Sequence, residues 1–336
     1  VYKNNDAMNK RRLGKTGFEL SEISLGTWQV GGKWGSPFSH SNADAILNEA
    51  VDKGINFIDT ADVYGEGESE KAVGRLLRSR SENIYVATKC GRKLNPHVDA
   101  SYQVDVLRKF VEDSLRNMGL ETIDLIQLHC PPTETYDRPE IFALFDTLKK
   151  EGKIRHLGVS VERVEEALKA IEYDNVCSVQ IIFNMFRQRP AEDFFARAAK
   201  RDVGIIVRVP LASGLLSGKY TAHTSFGKDD HRTFNRHGEA FDKGETFSGV
   251  DYAQGLAAVE EIKKLFPAES SLSALALRWI LMFSQVSTVI PGASRPEQVL
   301  ANVQAMELPA LTEEQMQGIR SIYQERIWPL IANEAW

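Results

Sequence analysis

Cysteine is scarce in this chain. Cys90, Cys130 and Cys177 are the only three among 336 residues, an odd number with no paired metal-ligand spacing, which argues against a disulfide framework or a thiolate zinc site. Each lies beside an apolar run and reads as a small buried side chain in a reducing compartment. Long apolar runs are missing too: nothing approaches the ~20 residues of a membrane helix, and no apolar secretion segment stands at the start. Charge of one sign is not in excess either. Against 46 acidic residues stand 41 basic ones, and the basic residues are spread out rather than gathered in a stripe, which argues against nucleic acid as the natural partner. Pro- or Ser-rich linkers and low-complexity tracts are also lacking. The expectation is one soluble cytoplasmic domain over 8–336. Residues 1–7 precede Met8 without periodicity and read as an expression remnant or disordered leader.

What is present is a repeat of apolar strand, polar turn and amphipathic helix. Strands are expected at Glu22–Thr27, Asn56–Thr60, Ile84–Lys89, Ile123–His129, Ile154–Ser160, Val176–Ile182, Gly204–Pro210 and Ser287–Pro291. They are apolar over consecutive residues, as in a parallel sheet covered by helices. Helical patterns fall at Ala43–Lys53, Glu68–Leu77, Val104–Met118, Pro139–Glu151, Val161–Ile171, Pro190–Arg201, Ser271–Met282 and Pro296–Met306. Gly54, Gly119 and Gly152 stand where helices stop, and Pro139, Pro190 and Pro296 where they start. Eight strand–helix units predict an α/β fold, a (β/α)8 TIM barrel. An N-terminal β-hairpin over Arg12–Leu20 precedes it, and long loops rise from its C-terminal face. The longest, Tyr220–Asp251, is polar and weakly periodic and reads as a functional cover, with room for a short helix.

The chemistry concentrates at strand ends. Asp59, Lys89 and His129 close the second, third and fourth strands, and Tyr64 follows Asp59 by five residues. In a barrel these ends meet at one mouth. A lysine cation favours phenolate over phenol, and a carboxylate can hold that cation in place. The four groups together would orient a carbonyl and protonate its oxygen. Any one of them alone could be a structural salt bridge, hydrogen bond or packed ring; four on consecutive strands make catalysis the stronger reading. Phosphate fingerprints are missing: there is no Walker pattern and no compact Gly-x-Gly-x-x-Gly after a strand. Asp59, Asp62, His129 and His156 could suggest a metal-dependent hydrolase, but Lys89 is unsuited to such a cluster and no paired-histidine opening accompanies them. No metal is expected.

The chain resembles the aldo-keto reductase superfamily, in the branch of bacterial reductases and potassium-channel beta subunits. The likeness runs from Arg12-Leu13-Gly14-Lys15-Thr16-Gly17 to Ile290-Pro291-Gly292-Ala293. Its strongest piece is Gly54-Ile55-Asn56-Phe57-Ile58-Asp59-Thr60-Ala61-Asp62-Val63-Tyr64-Gly65, supported by Asp124–His129 and Gly214–Tyr220. The resemblance implies a nicotinamide cofactor in an extended pose, Tyr64 as general acid, Asp59 and Lys89 as its electrostatic partners, and His129 as the orienting group. It sets Ser160 and Gln180 on the carboxamide side, with Val161 where an asparagine is usual. Leu211, Ser213 and Leu215 would pass the pyrophosphate. Gly292, Ser294, Arg295, Gln298 and Asn302 would surround adenosine, and Thr27, Trp28 and Asp59 complete the cofactor set.

Ser294 and Arg295 are candidates for the extra phosphate of NADP, so NADP(H) is expected over NAD(H). Arg208 replaces a ring-stacking aromatic; it could stack on the nicotinamide, meet an acidic substrate group, or form a structural salt bridge. Trp28, Trp34, Tyr64 and His129, with Lys33 and His40 nearby, would bound a mouth for aldehydes, small ketones or sugar-derived carbonyls. His231, Arg232, Phe234, Asn235 and Arg236 on the cover could meet cofactor phosphate or substrate. The expected partner is a small carbonyl or alcohol, not a membrane or nucleic acid; surface helices identify no interface, so a homo-oligomer is neither required nor excluded. Two alternatives share the same barrel: a nucleotide-binding, redox-sensing regulatory subunit, and an acid–base lyase or isomerase.

Overall fold

The computed structural model describes residues 8–32, 37–334 and 336. A two-stranded antiparallel hairpin, β1 (Lys10–Arg12) and β2 (Glu19–Ser21), opens the chain. Eight parallel strands follow: β3 (Leu25–Gly26), β4 (Phe57–Asp59), β5 (Tyr85–Cys90), β6 (Ile123–His129), β7 (Ile154–Ser160), β8 (Val176–Ile182), β9 (Gly204–Arg208) and β10 (Val286–Val289). Each pairs with the next in sequence order. Parallel bridges Ile23–Val289 and Gly26–Gly292 bring the two ends together, so the barrel is nearly closed. The expected hairpin and all eight strands are present, several shorter by one to three residues at an end.

Side chains alternate along a strand, so residues two apart share a face. That rule explains the barrel's interior. Phe57, Ala87, Leu125 and Ile206 form a dry plug with Leu13, Phe18 and Leu20 of the hairpin. Two residues further along the same strands stand Asp59, Lys89, Gln127 and Arg208. The interior is therefore apolar at the hairpin end and polar at the opposite end, where the strand termini open. The larger core lies between the sheet and its helices.

Those helices are α1 (His40–Asp52), α2 (Glu68–Ser79), α3 (Val104–Met118), α4 (Pro139–Lys150), α5 (Val164–Ala170), α6 (Arg189–Asp193), α7 (Phe195–Lys200), α8 (His231–Phe234), α9 (Tyr252–Lys263), α10 (Leu272–Leu281), α11 (Pro296–Val303), α12 (Glu313–Ile322) and α13 (Trp328–Ile331). The expected helix over Pro190–Arg201 is two pieces. They meet at Phe194, whose φ of −109° departs from the helical value and leaves it buried beside Phe195. The helix expected from Val161 starts instead at Val164, because the Glu166 carboxylate accepts from the backbone N–H groups of Glu162 and Arg163 at 3.0 and 3.1 Å and stops the chain there. Helices α9, α12 and α13 are additions to the expected set.

The segment Tyr220–Asp251 is a folded cover. It contains the short α8 and two single turns, Lys243–Glu245 and Phe247–Gly249. Asn235 Oδ1 accepts from the backbone N–H groups of Ala240 and Phe241, each at 2.8 Å. Arg232 pairs with Asp230 at 2.6 Å and lies over Phe226. Trp336 is seated beneath the cover: a Cβ on Gly249, whose φ is +77°, would come within 2.1 Å of the indole, so only glycine fits there. Residues 1–7, set apart in the sequence, lie outside the described residues. Among those that are described, no helix is long and apolar enough to cross a membrane.

Candidate active site

Period-two placement brings Asp59, Lys89 and Gln127 onto one interior layer, with Lys89 beside Gln127 in the β5–β6 register. Lys89 is fully buried. Its ammonium donates to Asp59 Oδ1, to the Thr60 carbonyl at 2.9 Å, and to the Tyr64 hydroxyl at 3.4 Å. The other carboxylate oxygen of Asp59 accepts from Gln127 and Gln180 amides at 2.9 and 2.8 Å. Both oxygens of a buried charge are thus satisfied, which such burial requires. Gln180 was expected beside a cofactor amide; its nitrogen is committed to Asp59. Thr27 donates its hydroxyl to the Asp59 carbonyl at 3.0 Å and accepts from Ser69 at 2.8 Å, pinning the end of β4 from behind.

Tyr64 sits in the turn after β4, partly open to the mouth, and its ring meets that of His129 edge to face with centroids 6.1 Å apart. The four acid–base residues named from the sequence are therefore together. One electrostatic expectation is corrected. The phenol pKa is raised rather than lowered: burial is the largest effect, the Lys89 cation opposes it, and the Asp59 charge pushes it up again. Asp59 neutralises the cation meant to activate the phenol. Burial also works against the Lys89 ammonium, but Asp59 and Tyr64 outweigh it and hold the lysine charged. Burial pushes the His129 imidazole well below its usual range, with Arg92, Lys89 and Arg208 adding to the effect. His129 is neutral at pH ~7, and its Nδ1 is buried without a hydrogen-bond partner. A neutral imidazole beside a phenol held by a lysine can align an oxygen and pass it a proton.

Asp62 is a second buried acid near this set, and neither carboxyl oxygen has a hydrogen-bond partner. Burial pushes it up to about 7 against the pull of Lys93, with Glu70 adding to the rise. In the unfolded chain an aspartic acid titrates near pH ~4. Stability is therefore full below that value and is lost as pH rises from it through about 7. Asp62→Asn should match the parent in denaturant midpoint near pH ~4 and exceed its stability by about 4 kcal/mol near pH ~8. A difference independent of pH would refute that account.

The remaining candidates fall in three places. Ser160, Gln180 and Arg208 join the mouth: Ser160 lies between His129 and Gln180 in register, and Arg208 ends β9. Ser213, with φ of +56°, donates to the Glu245 carbonyl at 3.0 Å and accepts from Phe247 N–H at 3.0 Å, so it fastens the cover. Leu215 is buried in the core and offers only backbone to a ligand, whereas Leu211 is half-buried. At the start of α11, Gln298 accepts from Ser294 N–H and hydroxyl at 2.7 and 3.1 Å, and Asn302 donates to the Gly292 carbonyl at 3.5 Å. Arg295 is exposed, 3.9 Å from Glu297.

Trp28 reaches the cover, with its ring 4.9 Å from that of His231. His231 is buried, and burial pushes its imidazole down to about 4. Arg232 and Asn235 hold the cover together, and Arg236 lies over Phe247 and Tyr252. His40 faces Glu68 at 3.7 Å. Trp34 and Lys33 lie outside the described residues. His156 is at the hairpin end, against Phe18 and Cys177, away from any metal set with Asp59. All three cysteines are buried free thiols.

Sequence reasoning missed Gln127, Arg92, Glu162 and Glu245. Gln127 precedes His129 by two and shares its inward face, a signal that was there to read. Arg92 NH2 stands 3.1 Å from Glu245 and NH1 3.6 Å from Glu162; Arg208 pairs with Glu162 at 2.8 Å and with Glu245 at 3.7 Å.

A nearly closed eight-stranded parallel barrel, capped by a hairpin and carrying a lysine–carboxylate–tyrosine–histidine set at its C-terminal mouth, is the architecture of a nicotinamide-dependent carbonyl reductase. The chain belongs to the aldo/keto reductase family, whose model matches residues 22–324. It is 30% identical over 320 residues to the NADH-specific methylglyoxal reductase of Escherichia coli, covering 90% of this chain and 94% of that one. Two solved structures superpose with TM-scores of 0.74. The holo form of aldo-keto reductase AKR11C1 from Bacillus halodurans is 31% identical, covering 94% of this chain and 96% of that chain. The glycerol dehydrogenase AKR11B4 from Gluconobacter oxydans is 32% identical, covering 95% and 96%. The protein is an oxidoreductase that reduces carbonyl compounds with a nicotinamide cofactor.

Proposed function

We propose that the protein reduces aldehydes, small ketones or sugar-derived carbonyls to alcohols, with Tyr64 as proton donor and NADPH preferred over NADH. The observation that carries this reading is the ladder from Asp59 through the Lys89 ammonium to the Tyr64 hydroxyl, 3.4 Å from that ammonium, beside a neutral His129. The cofactor supplies the hydride. His129 and Tyr64 hold the carbonyl oxygen, and the phenol gives up its proton as negative charge develops there. The lysine then faces a phenolate, which it stabilises at short range. In the reverse direction the same groups take a proton from an alcohol. Trp28, Tyr64 and His129 border the substrate.

The residues at the mouth fit a nicotinamide nucleotide. Ser160 offers a polar contact, and Thr27, Trp28, Asp59 and Gln180 line the same end, with Arg208 beside them. The cover crosses Ser213, between Leu211 and Leu215, where a pyrophosphate would pass. Gly292, Ser294, Gln298 and Asn302 form the adenosine end. Arg295, exposed and only loosely paired with Glu297, is free to meet a 2′-phosphate. Its charge is what favours NADPH, although the Escherichia coli relative is named for NADH.

The test is to titrate the protein with NADPH and NADH by intrinsic fluorescence, then follow cofactor absorbance on adding a panel of aldehydes and ketones. Carbonyl-dependent oxidation of NADPH supports the reading; tight binding without oxidation across the panel favours a redox-sensing regulatory subunit. Arg295→Ala should weaken NADPH by roughly tenfold while leaving NADH nearly unchanged, the loss expected for one charge-assisted contact. Equal weakening of both would remove Arg295 from phosphate recognition.

A further inference from the structure

Beside the proton-donating set lies a second charged group, which proton transfer does not use. Arg92 stands three residues beyond Lys89, Glu162 two beyond Ser160, Cys130 one beyond His129, and Arg208 at the end of β9, so all four rise from the same strand ends. Glu245 comes from the other side, on the cover, and completes the cluster. The group borders the reacting residues closely enough for Arg92 and Arg208 to depress the His129 imidazole and for Glu245 to act on the Tyr64 phenol.

The two carboxylates are held very differently. Glu162 belongs to the barrel and receives a hydrogen bond of 2.8 Å from Arg208, whose same nitrogen also donates to the Val161 carbonyl at 3.0 Å. Burial pushes the Glu162 carboxyl up, but the Arg208 guanidinium outweighs it and the group is held low and charged. Glu245 is suspended. Its oxygens approach Arg92 and Arg208 at 3.1 and 3.7 Å, and Oε1 is buried without a hydrogen-bond partner. Burial, then repulsion by Glu162, pushes its carboxyl up to about 7. Across the gap Arg208, only 9% exposed, has a partnerless Nε. Cys130, Glu162 and Glu245 place ligand atoms within 4.8 Å of one another, but two guanidiniums face the same carboxylates, so the seat suits an anion rather than a cation.

The geometry points to an anion-recognition site in which Arg92 and Arg208 receive a phosphate or carboxylate carried by the carbonyl substrate, and Glu245 is an internal stand-in that withdraws with the cover. The inference deepens the reductase reading and rests on it. A substrate anion would replace a carboxyl that Glu162 repels and that takes no hydrogen bond from either guanidinium with one that can accept from both in fork geometry. Arg92 and Arg208 become specificity residues, and Glu245 sets how strongly an anion must compete.

The test uses matched aldehydes with saturating NADPH: glyceraldehyde 3-phosphate against glyceraldehyde, and succinic semialdehyde against butanal. The parent should favour the charged member of at least one pair by about tenfold or more in kcat/KM, and which pair it favours separates phosphate from carboxylate. Arg92→Met should raise KM for that charged aldehyde at least about tenfold more than for its neutral partner, with kcat changing far less. Arg92→Lys, which keeps the charge but not the fork, should fall between, and guards against a folding defect in the first variant. Glu245→Gln should lower KM for the charged aldehyde alone. Equal kcat/KM within both pairs, or Arg92→Met shifting both members alike, would overturn the anion site while leaving the reductase reading intact. No oxidation of cofactor by any of the four aldehydes, nor by the wider panel of aldehydes and ketones, would overturn both.

Discussion

Tyr64→Phe should remove nearly all carbonyl reduction, on the order of 10²–10⁴-fold in kcat, while leaving the affinity for nicotinamide nucleotides close to that of the parent. The substitution deletes one oxygen and keeps the ring that meets His129 edge to face. Fold stability should barely move, since the lost hydroxyl takes only a 3.4 Å contact from Lys89, whose ammonium retains Asp59 and the Thr60 carbonyl. Stopped-flow hydride transfer and nucleotide titration separate the two effects. Turnover within a few-fold of the parent would exclude Tyr64 as the acid. A matched loss of nucleotide binding would show that the hydroxyl holds the cofactor rather than serving only as proton donor.

Lys89→Met should be costly in a different way. It leaves the Asp59 carboxylate buried with only the Gln127 and Gln180 amides at 2.9 and 2.8 Å. Stranding one member of a buried pair costs about 3–5 kcal/mol, so the denaturation midpoint should drop as activity disappears. Adding Asp59→Asn to the same protein removes the stranded charge and should restore much of the stability but none of the activity. The pair would then be strongly non-additive in stability. If the two losses simply summed, Lys89 and Asp59 would not be acting as one buried unit, and the electrostatic frame around Tyr64 would need another explanation.

Much of the barrel was legible because most strands announce themselves twice, by an apolar run and by a Gly or Pro boundary. The position of the acid–base set was legible for the same reason: Asp59, Lys89 and His129 each end a run, and an eight-unit barrel admits one face for such ends. The broken helix at Phe194 was not, because an apolar pattern does not reveal a single residue whose backbone leaves the helical angles. The raised phenol pKa was invisible as well. Residue types reveal that Lys89 attracts phenolate, but not that burial and Asp59 together outweigh it. Arg92, Glu162 and Glu245 escaped for a third reason. They are ordinary charged residues in loops, the latter two far apart in sequence, and only the folded cover brings them to one seat.

The near-closure of the barrel has a mechanical side. Seven of its eight strand contacts are ladders, two of them with a register shift, whereas the seam between the β3 and β10 ends is closed by isolated bridges at Ile23–Val289 and Gly26–Gly292. A hoop with one joint concentrates its breathing there. Gly292 stands both at that joint and at the proposed adenosine end, so a nucleotide lying along it would act as a clasp across the hoop. Loading the cofactor would then brace the barrel across that seam, and the site would gain rigidity from the molecule it was built to use.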